Sequence, residues 1–112
     1  MADAEVTEPA LKRVDTREDV LAVLRANEAA IRAFGATALF LFGSAARDEL
    51  ASDSDIDLFA DYVPDGSFGF REFFDLKYFL ESLFSRKVDF TTRAGLHSRM
   101  RSRIEKSSMQ VF

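Results

Sequence analysis

The sequence predicts a small α/β domain, and three features carry that prediction. Two stretches, Val20 to Phe34 and Phe68 to Ser85, place apolar residues at helical spacing; the run Ala36 to Phe42 is continuously apolar; and Asp55 to Val63 and Arg86 to Thr92 alternate charged or polar residues with apolar ones. Helices interleaved with strands place the chain in the α/β class.

The elements follow in order. Residues 1–15 are expected to form a flexible N-terminus, with Met1 to Pro9 acidic and without the basic-then-apolar pattern of a signal segment. Thr16 is a helix cap with Glu18 and Asp19 in the first turn, and Val20, Leu24, Ile31 and Phe34 continue the helix until Gly35 stops it. Ala36 to Phe42, bounded by Gly35 and Gly43, reads as a strand buried on both faces. After the Gly43-Ser44 turn a short helix is expected over Ser44 to Leu50, then a polar turn, then a second strand from Asp55 to Val63 ended by Pro64-Asp65-Gly66. The helix Phe68 to Ser85 is apolar on two arcs, one with Phe70, Phe73, Phe74, Leu80 and Phe84 and one with Leu76, Phe79 and Leu83. A helix apolar on two faces in so small a domain suggests a partner surface. The third strand is Arg86 to Thr92; a helix over Leu96 to Lys106 and an extended end at Met109 to Phe112 complete the chain.

With 112 residues there is room for one domain, expected over residues 16–112. The longest apolar run, Ala38 to Phe42, is far too short to span a bilayer, and the absence of cysteine excludes a thiolate metal site and agrees with a cytoplasmic protein. A net charge of -4 argues against direct nucleic-acid binding. The basic cluster Arg93, Arg99, Arg101, Arg103 and Lys106 reads as a solvated helix face, with an anion or partner patch as the alternative.

Chemistry is concentrated in two places. Asp55 and Asp57 are two apart on a strand, so both carboxylates project from one face while Ile56 and Leu58 face the core. Like charges that close repel unless a cation lies between them, and oxygen ligands suit Mg²⁺. Asp89, on the next strand between apolar neighbours, is the candidate third carboxylate. Gly43-Ser44 directly follows the first strand, where a small residue permits close backbone approach and amides and a hydroxyl can face a phosphate. Gly-Ser at a strand end is commonly only a turn; its weight comes from the ten residues separating it from Asp55-Ile56-Asp57.

The stretch Leu41-Phe42-Gly43-Ser44-Ala45-Ala46-Arg47 followed by Ser52-Asp53-Ser54-Asp55-Ile56-Asp57-Leu58 resembles the signature of the minimal nucleotidyltransferases, a branch of the DNA polymerase β-like superfamily. The resemblance spans Val20 to Phe112, with Lys87-Val88-Asp89-Phe90 similar to the third-carboxylate strand; Asp48 stands where many members have glycine. It implies an α/β (α+β) fold with a small mixed sheet and helices packed on it, and transfer of AMP from ATP to a hydroxyl. By the same resemblance Gly43, Ser44 and Arg47 would bind the nucleotide phosphates. Asp55, Asp57 and Asp89 would hold Mg²⁺, with Asp89 also the general base. Chains of this kind are often antitoxins that adenylylate a tyrosine of a HEPN-type ribonuclease toxin, which is therefore the expected partner, in a hetero-oligomer.

Other readings compete. An EF-hand loop starting at Asp53 would require glycine at 58 and glutamate at 64, where the chain has Leu58 and Pro64; no Walker loop follows Gly43. A serine hydrolase of Ser44, Asp89 and His97 lacks a nucleophile elbow. A binding-only antitoxin and a transferase acting on a small-molecule or RNA hydroxyl remain as alternatives.

Overall fold

A computed structural model describes residues 13–112 of the chain, and of the flexible N-terminus expected over residues 1–15, residues 1–12 lie outside the described residues. Helix α1 (Arg17–Ala26) starts on a reciprocal cap: the Thr16 hydroxyl accepts the Asp19 N–H at 3.1 Å, and the Asp19 carboxylate accepts the Thr16 N–H at 3.2 Å. The single helix expected from Thr16 to Phe34 is broken at Asn27, whose side-chain amide donates to the Val23 carbonyl at 2.8 Å; α2 (Glu28–Ala33) follows. Gly35, at φ 112°, turns the chain into strand β1 (Ala36–Phe42).

Helix α3 (Gly43–Ala46), strand β2 (Ile56–Tyr62), helix α4 (Phe70–Ser82) and strand β3 (Val88–Thr92) come next. A helix expected over Leu96 to Lys106 is shorter: a 3-10 turn (Arg93–Gly95) precedes α5 (Arg101–Ser107), and β4 (Met109–Gln110) ends the described elements. The sheet order is β3-β2-β1-β4, with β1 antiparallel to β2 and β4, and β2 parallel to β3. This is the mixed sheet anticipated above, and α4 supplies the crossover that a parallel pair requires. No helix among the described residues is long and apolar enough to cross a membrane.

Alternation along the strands separates two faces. Leu39 and Leu41, Ile56, Leu58 and Ala60, and Val88 and Phe90 point into the main core, against Val20, Leu24, Ile31, Leu76, Leu80 and Phe84 from the helices. Asp57, Phe59 and Asp61 take the opposite face, where Phe59 stacks on Phe40 at 4.7 Å. β1 is therefore not buried on both faces: Leu39 and Leu41 are fully buried, while Phe40 and Phe42 are half-buried on the side away from the helices. Arg93 lies over that second face, its guanidinium 4.9 Å from the Phe40 ring and 5.1 Å from Phe59. It donates twice to Asp61, at 2.8 and 3.0 Å, and once to Glu105, at 2.7 Å. The expected basic cluster is thereby broken up, because Arg93 is neutralised by these acids and Arg101 turns to the Ala94 carbonyl.

The aromatic residues of α4 also divide differently from the two arcs expected. Leu76 and Leu80 are buried, Phe73 stacks on Phe90 at 5.1 Å and Phe79 meets Phe34 at 5.4 Å. Phe70 and Phe74 are 86% and 43% exposed, and Tyr78 is 62% exposed.

Candidate active site

Phe42, the last residue of β1, pairs directly with Asp57 of β2, so the chain turns at Gly43 right beside the Asp57 side chain. Gly43 has φ 71°, a left-handed conformation, and a Cβ there would collide with the Asp57 carboxylate. These two facts account for glycine at this position: the tight turn into α3 and the approach of the carboxylate each exclude a side chain. Ser44, half-buried, is the second residue of α3, whose first backbone N–H groups have no side-chain cap.

Across the parallel pair, Asp57 is the register partner of Asp89. Partners in such a pair present their side chains to the same face. Asp55 lies just before β2 rather than in it, and is half-buried like Asp57, while Asp89 is exposed. Burial first, then the negative charges of Asp89 and Asp55, push the Asp57 carboxyl up to about 6; Arg47 opposes them weakly. Arg47 is exposed and its Nε donates to Glu49 at 2.8 Å.

The structure thus brings Gly43, Asp55, Asp57 and Asp89 together at one end of the open face, with Ser44 and Arg47 on the adjoining helix turn. It does not close them into a cage. Among the described residues, no group of three or more histidine, cysteine or carboxylate side chains is arranged to hold a metal ion by itself. The donors present are nevertheless all carboxylates, and their mutual repulsion at a half-buried Asp57 is what a hard divalent cation relieves, provided that oxygens from another molecule complete its coordination.

Two residues supporting the site were not singled out for this role by the sequence. Arg86, only 11% exposed at its side chain, donates to the carbonyls of Val14 (3.0 Å), Ser54 (3.1 Å) and Ala51, fastening the loop that leads into Asp55. Asp48, which closes the turn after α3 at φ 58°, accepts the backbone N–H of Arg17 at 2.8 Å and so ties that turn to the start of α1. His97 is exposed, and its Nδ1 accepts the Arg99 N–H within its own turn.

The family model for the nucleotidyltransferase domain matches residues 23–112 of the chain. The protein adenylyltransferase MntA of Thermococcus cleftensis is 32% identical over 84 residues, covering 74% of this chain and 83% of that protein. A solved structure assigned as a minimal nucleotidyltransferase is 31% identical, with a TM-score of 0.64 over 80% of this chain and 93% of the other. A toxin-antitoxin structure with AMP-PNP shares the fold at 18% identity, with a TM-score of 0.59 over 86% of this chain and 72% of the other.

Proposed function

The chain belongs to the nucleotidyltransferase domain family, and from that premise we propose that it moves AMP from Mg²⁺-ATP to a hydroxyl of a partner protein, a tyrosine of a HEPN-type ribonuclease toxin, and so acts as an antitoxin. It is a nucleotidyltransferase with the polymerase β-like fold. The similarity to a protein adenylyltransferase supports a protein acceptor. The observation that carries the reading is the meeting of the Gly43 turn with the paired Asp57 and Asp89: the uncapped first amides of α3 on one side and unneutralised carboxylates on the other.

In this mechanism the amides at Gly43 and Ser44 and the Ser44 hydroxyl hold the β and γ phosphates of ATP. Arg47, whose positive charge acts on Asp57, steadies the triphosphate, and its bond to Glu49 limits where the guanidinium can go. Asp55, Asp57 and Asp89 would hold Mg²⁺, which supplies charge neutralisation to the phosphates when bound. Asp89, the most exposed of the three, is open to the acceptor and takes its proton. The acceptor oxygen forms a bond to the α phosphorus, the bond to the pyrophosphate oxygen breaks, and pyrophosphate leaves. Little else is asked of the protein than alignment and the holding of charge.

Intact-mass measurement on a HEPN-type partner incubated with the chain, Mg²⁺ and ATP tests this. The expected result is an increase of one or more adenylyl groups that is absent with Asp55→Asn. A stable, unmodified complex that still neutralises the partner would instead establish a masking protein without chemistry.

A further inference from the structure

The segment that joins β3 to β4 concentrates positive charge. Between His97 and Ser107 stand Arg99, Arg101, Arg103 and Lys106 against a single acid, Glu105, in a chain whose net charge is -4. Glu105 is taken by Arg93 at 2.7 Å. Arg99, Arg103 and Lys106 are exposed, as cations without a partner usually are; Arg101 is half-buried.

Arg101 is the first residue of α5. Its Nη2 donates to the Ala94 carbonyl at 3.1 Å, while its Nε is buried and has no acceptor. Its Nη1 makes no hydrogen bond, and no carboxylate pairs with the guanidinium, among the described residues. A carbonyl takes one hydrogen bond and leaves the charge uncompensated. A cation drawn partly out of water in this state is costly by itself and calls for a counter-ion. The guanidinium lies in the wall of a cavity of about 760 Å³ that also takes in Asp61, Tyr62, Pro64, Gly66 and Arg93. Room for an anion therefore adjoins the cation that lacks one.

The other wall narrows the choice of anion. There Arg93 is shared between Asp61 and Glu105, one cation against two carboxylates, so the trio repels further negative charge. A phosphate dianion would meet about twice the repulsion that a carboxylate meets. The exposed Arg99, Arg103 and Lys106 extend the positive field beyond one group, which suits an acidic stretch of polypeptide better than a free carboxylate. The cavity also opens on the right face: Asp61 lies on the same side of β2 as Asp57, four residues or about 13 Å farther along.

We propose that Arg101 recognises an acidic side chain of the protein acceptor, so that the cavity selects acceptors bearing a glutamate or aspartate on the order of 13 Å from the modified hydroxyl. This rests on the reading that the acceptor is a protein, and it adds what marks that protein out. Arg101 touches neither the nucleotide nor the reacting atoms; it positions the acceptor, with Nη1 as the open donor. Arginine clusters hold acidic motifs in this way, through charge-assisted hydrogen bonds.

The test uses the full chain with Mg²⁺, ATP and peptides that carry one tyrosine flanked by glutamate, glutamine or lysine, with labelling followed by mass spectrometry. The glutamate peptide is expected to show a KM about tenfold below that of the glutamine peptide, at similar kcat. Arg101→Gln should erase the difference by raising KM alone, and Arg101→Lys should restore part of it. Arg101→Glu should favour the lysine peptide, a reversal that loss of folding cannot produce. Without ATP, the Arg101 side-chain N–H resonances should shift with the glutamate peptide and not with an RNA oligonucleotide of equal charge. Equal KM for the glutamate and glutamine peptides, an unaltered preference in Arg101→Gln, or no shift with either ligand overturns the proposal. A shift with the oligonucleotide alone overturns it in favour of a nucleic-acid phosphate. A glutamate peptide that shifts Arg101 yet is never labelled removes the transferase reading and leaves the docking of an acidic segment standing.

Discussion

The carboxylate of Asp57 occupies the space that a side chain on Gly43 would need. Gly43→Ala therefore meets two costs: a left-handed backbone, about 1–2 kcal/mol for a residue with a Cβ, and displacement of Asp57 from the face it shares with Asp89. The variant should fold, with a lowered melting temperature, and lose at least about a hundredfold in AMP transfer. Calorimetric titration with Mg²⁺-ATP alongside thermal denaturation separates the two effects. Unchanged nucleotide binding in a destabilised variant would show that the close approach of Gly43 and Asp57 serves only the turn.

Asp57 makes the metal-free protein less stable as pH rises. Its carboxyl holds its proton up to about 6 in the fold, first because of burial and then because of Asp89 and Asp55. Between about 4 and about 6 the folded chain consequently binds more protons than the unfolded one, so stability falls through that window and stays lower above it. The full shift corresponds to about 3 kcal/mol, reduced by partial exposure to about 1–2 kcal/mol. In EDTA at neutral pH, Asp57→Asn should therefore melt higher than the unsubstituted chain, and the difference should vanish below about pH 4. A less stable Asp57→Asn protein under those conditions would contradict the repulsion argued here.

Asp48 is held in two opposing ways, by a φ of 58° that disfavours any side chain and by a 2.8 Å bond to the Arg17 N–H that rewards this one. Glycine at 48 relieves roughly 1 kcal/mol of backbone strain and forfeits a cap of similar size, so Asp48→Gly should lie within about 1 kcal/mol of the original. Asp48→Ala keeps the strain and loses the cap; urea denaturation should place it about 1–2 kcal/mol lower. An alanine variant as stable as the glycine one would mean that the bond to Arg17 contributes nothing.

The same residue shows what was legible in the sequence. Asp48 stood out only because glycine is common there in similar chains; the bond to Arg17, 31 residues away, has no local signal. Asp57 and Asp89 were readable because alternation at period two fixes a face in any strand. Asp55 was placed inside that strand because the alternation continues through it, although pairing begins at Ile56. The interruption at Asn27 leaves no mark in the apolar pattern because Leu24 and Ile31 are seven residues apart and stay in phase across the break. Arg93 was counted with a basic surface since its partners, Asp61 and Glu105, are brought to it only by the sheet and the turn before α5. Side-chain bonds that span the fold leave no periodicity behind.

Arg86 presents the strongest case of that kind and gives the last prediction. One guanidinium serves carbonyls of Val14, Ala51 and Ser54, a reach that a single ammonium cannot reproduce. Arg86→Ala should cost about 1–3 kcal/mol in urea, and Arg86→Lys should recover less than half of it, because the part-buried carbonyls of Val14 and Ser54 lose a fork of donors in both. The effect on chemistry should pass through the loop entering Asp55. Arg86→Ala should therefore lower AMP transfer together with stability, whereas transfer unchanged in the destabilised variant would separate Arg86 from Asp55. The stability term acts as an internal control, since it reports loss of the bonds whether or not the carboxylates turn over. A lysine variant matching the arginine in both measurements would end the argument for the fork.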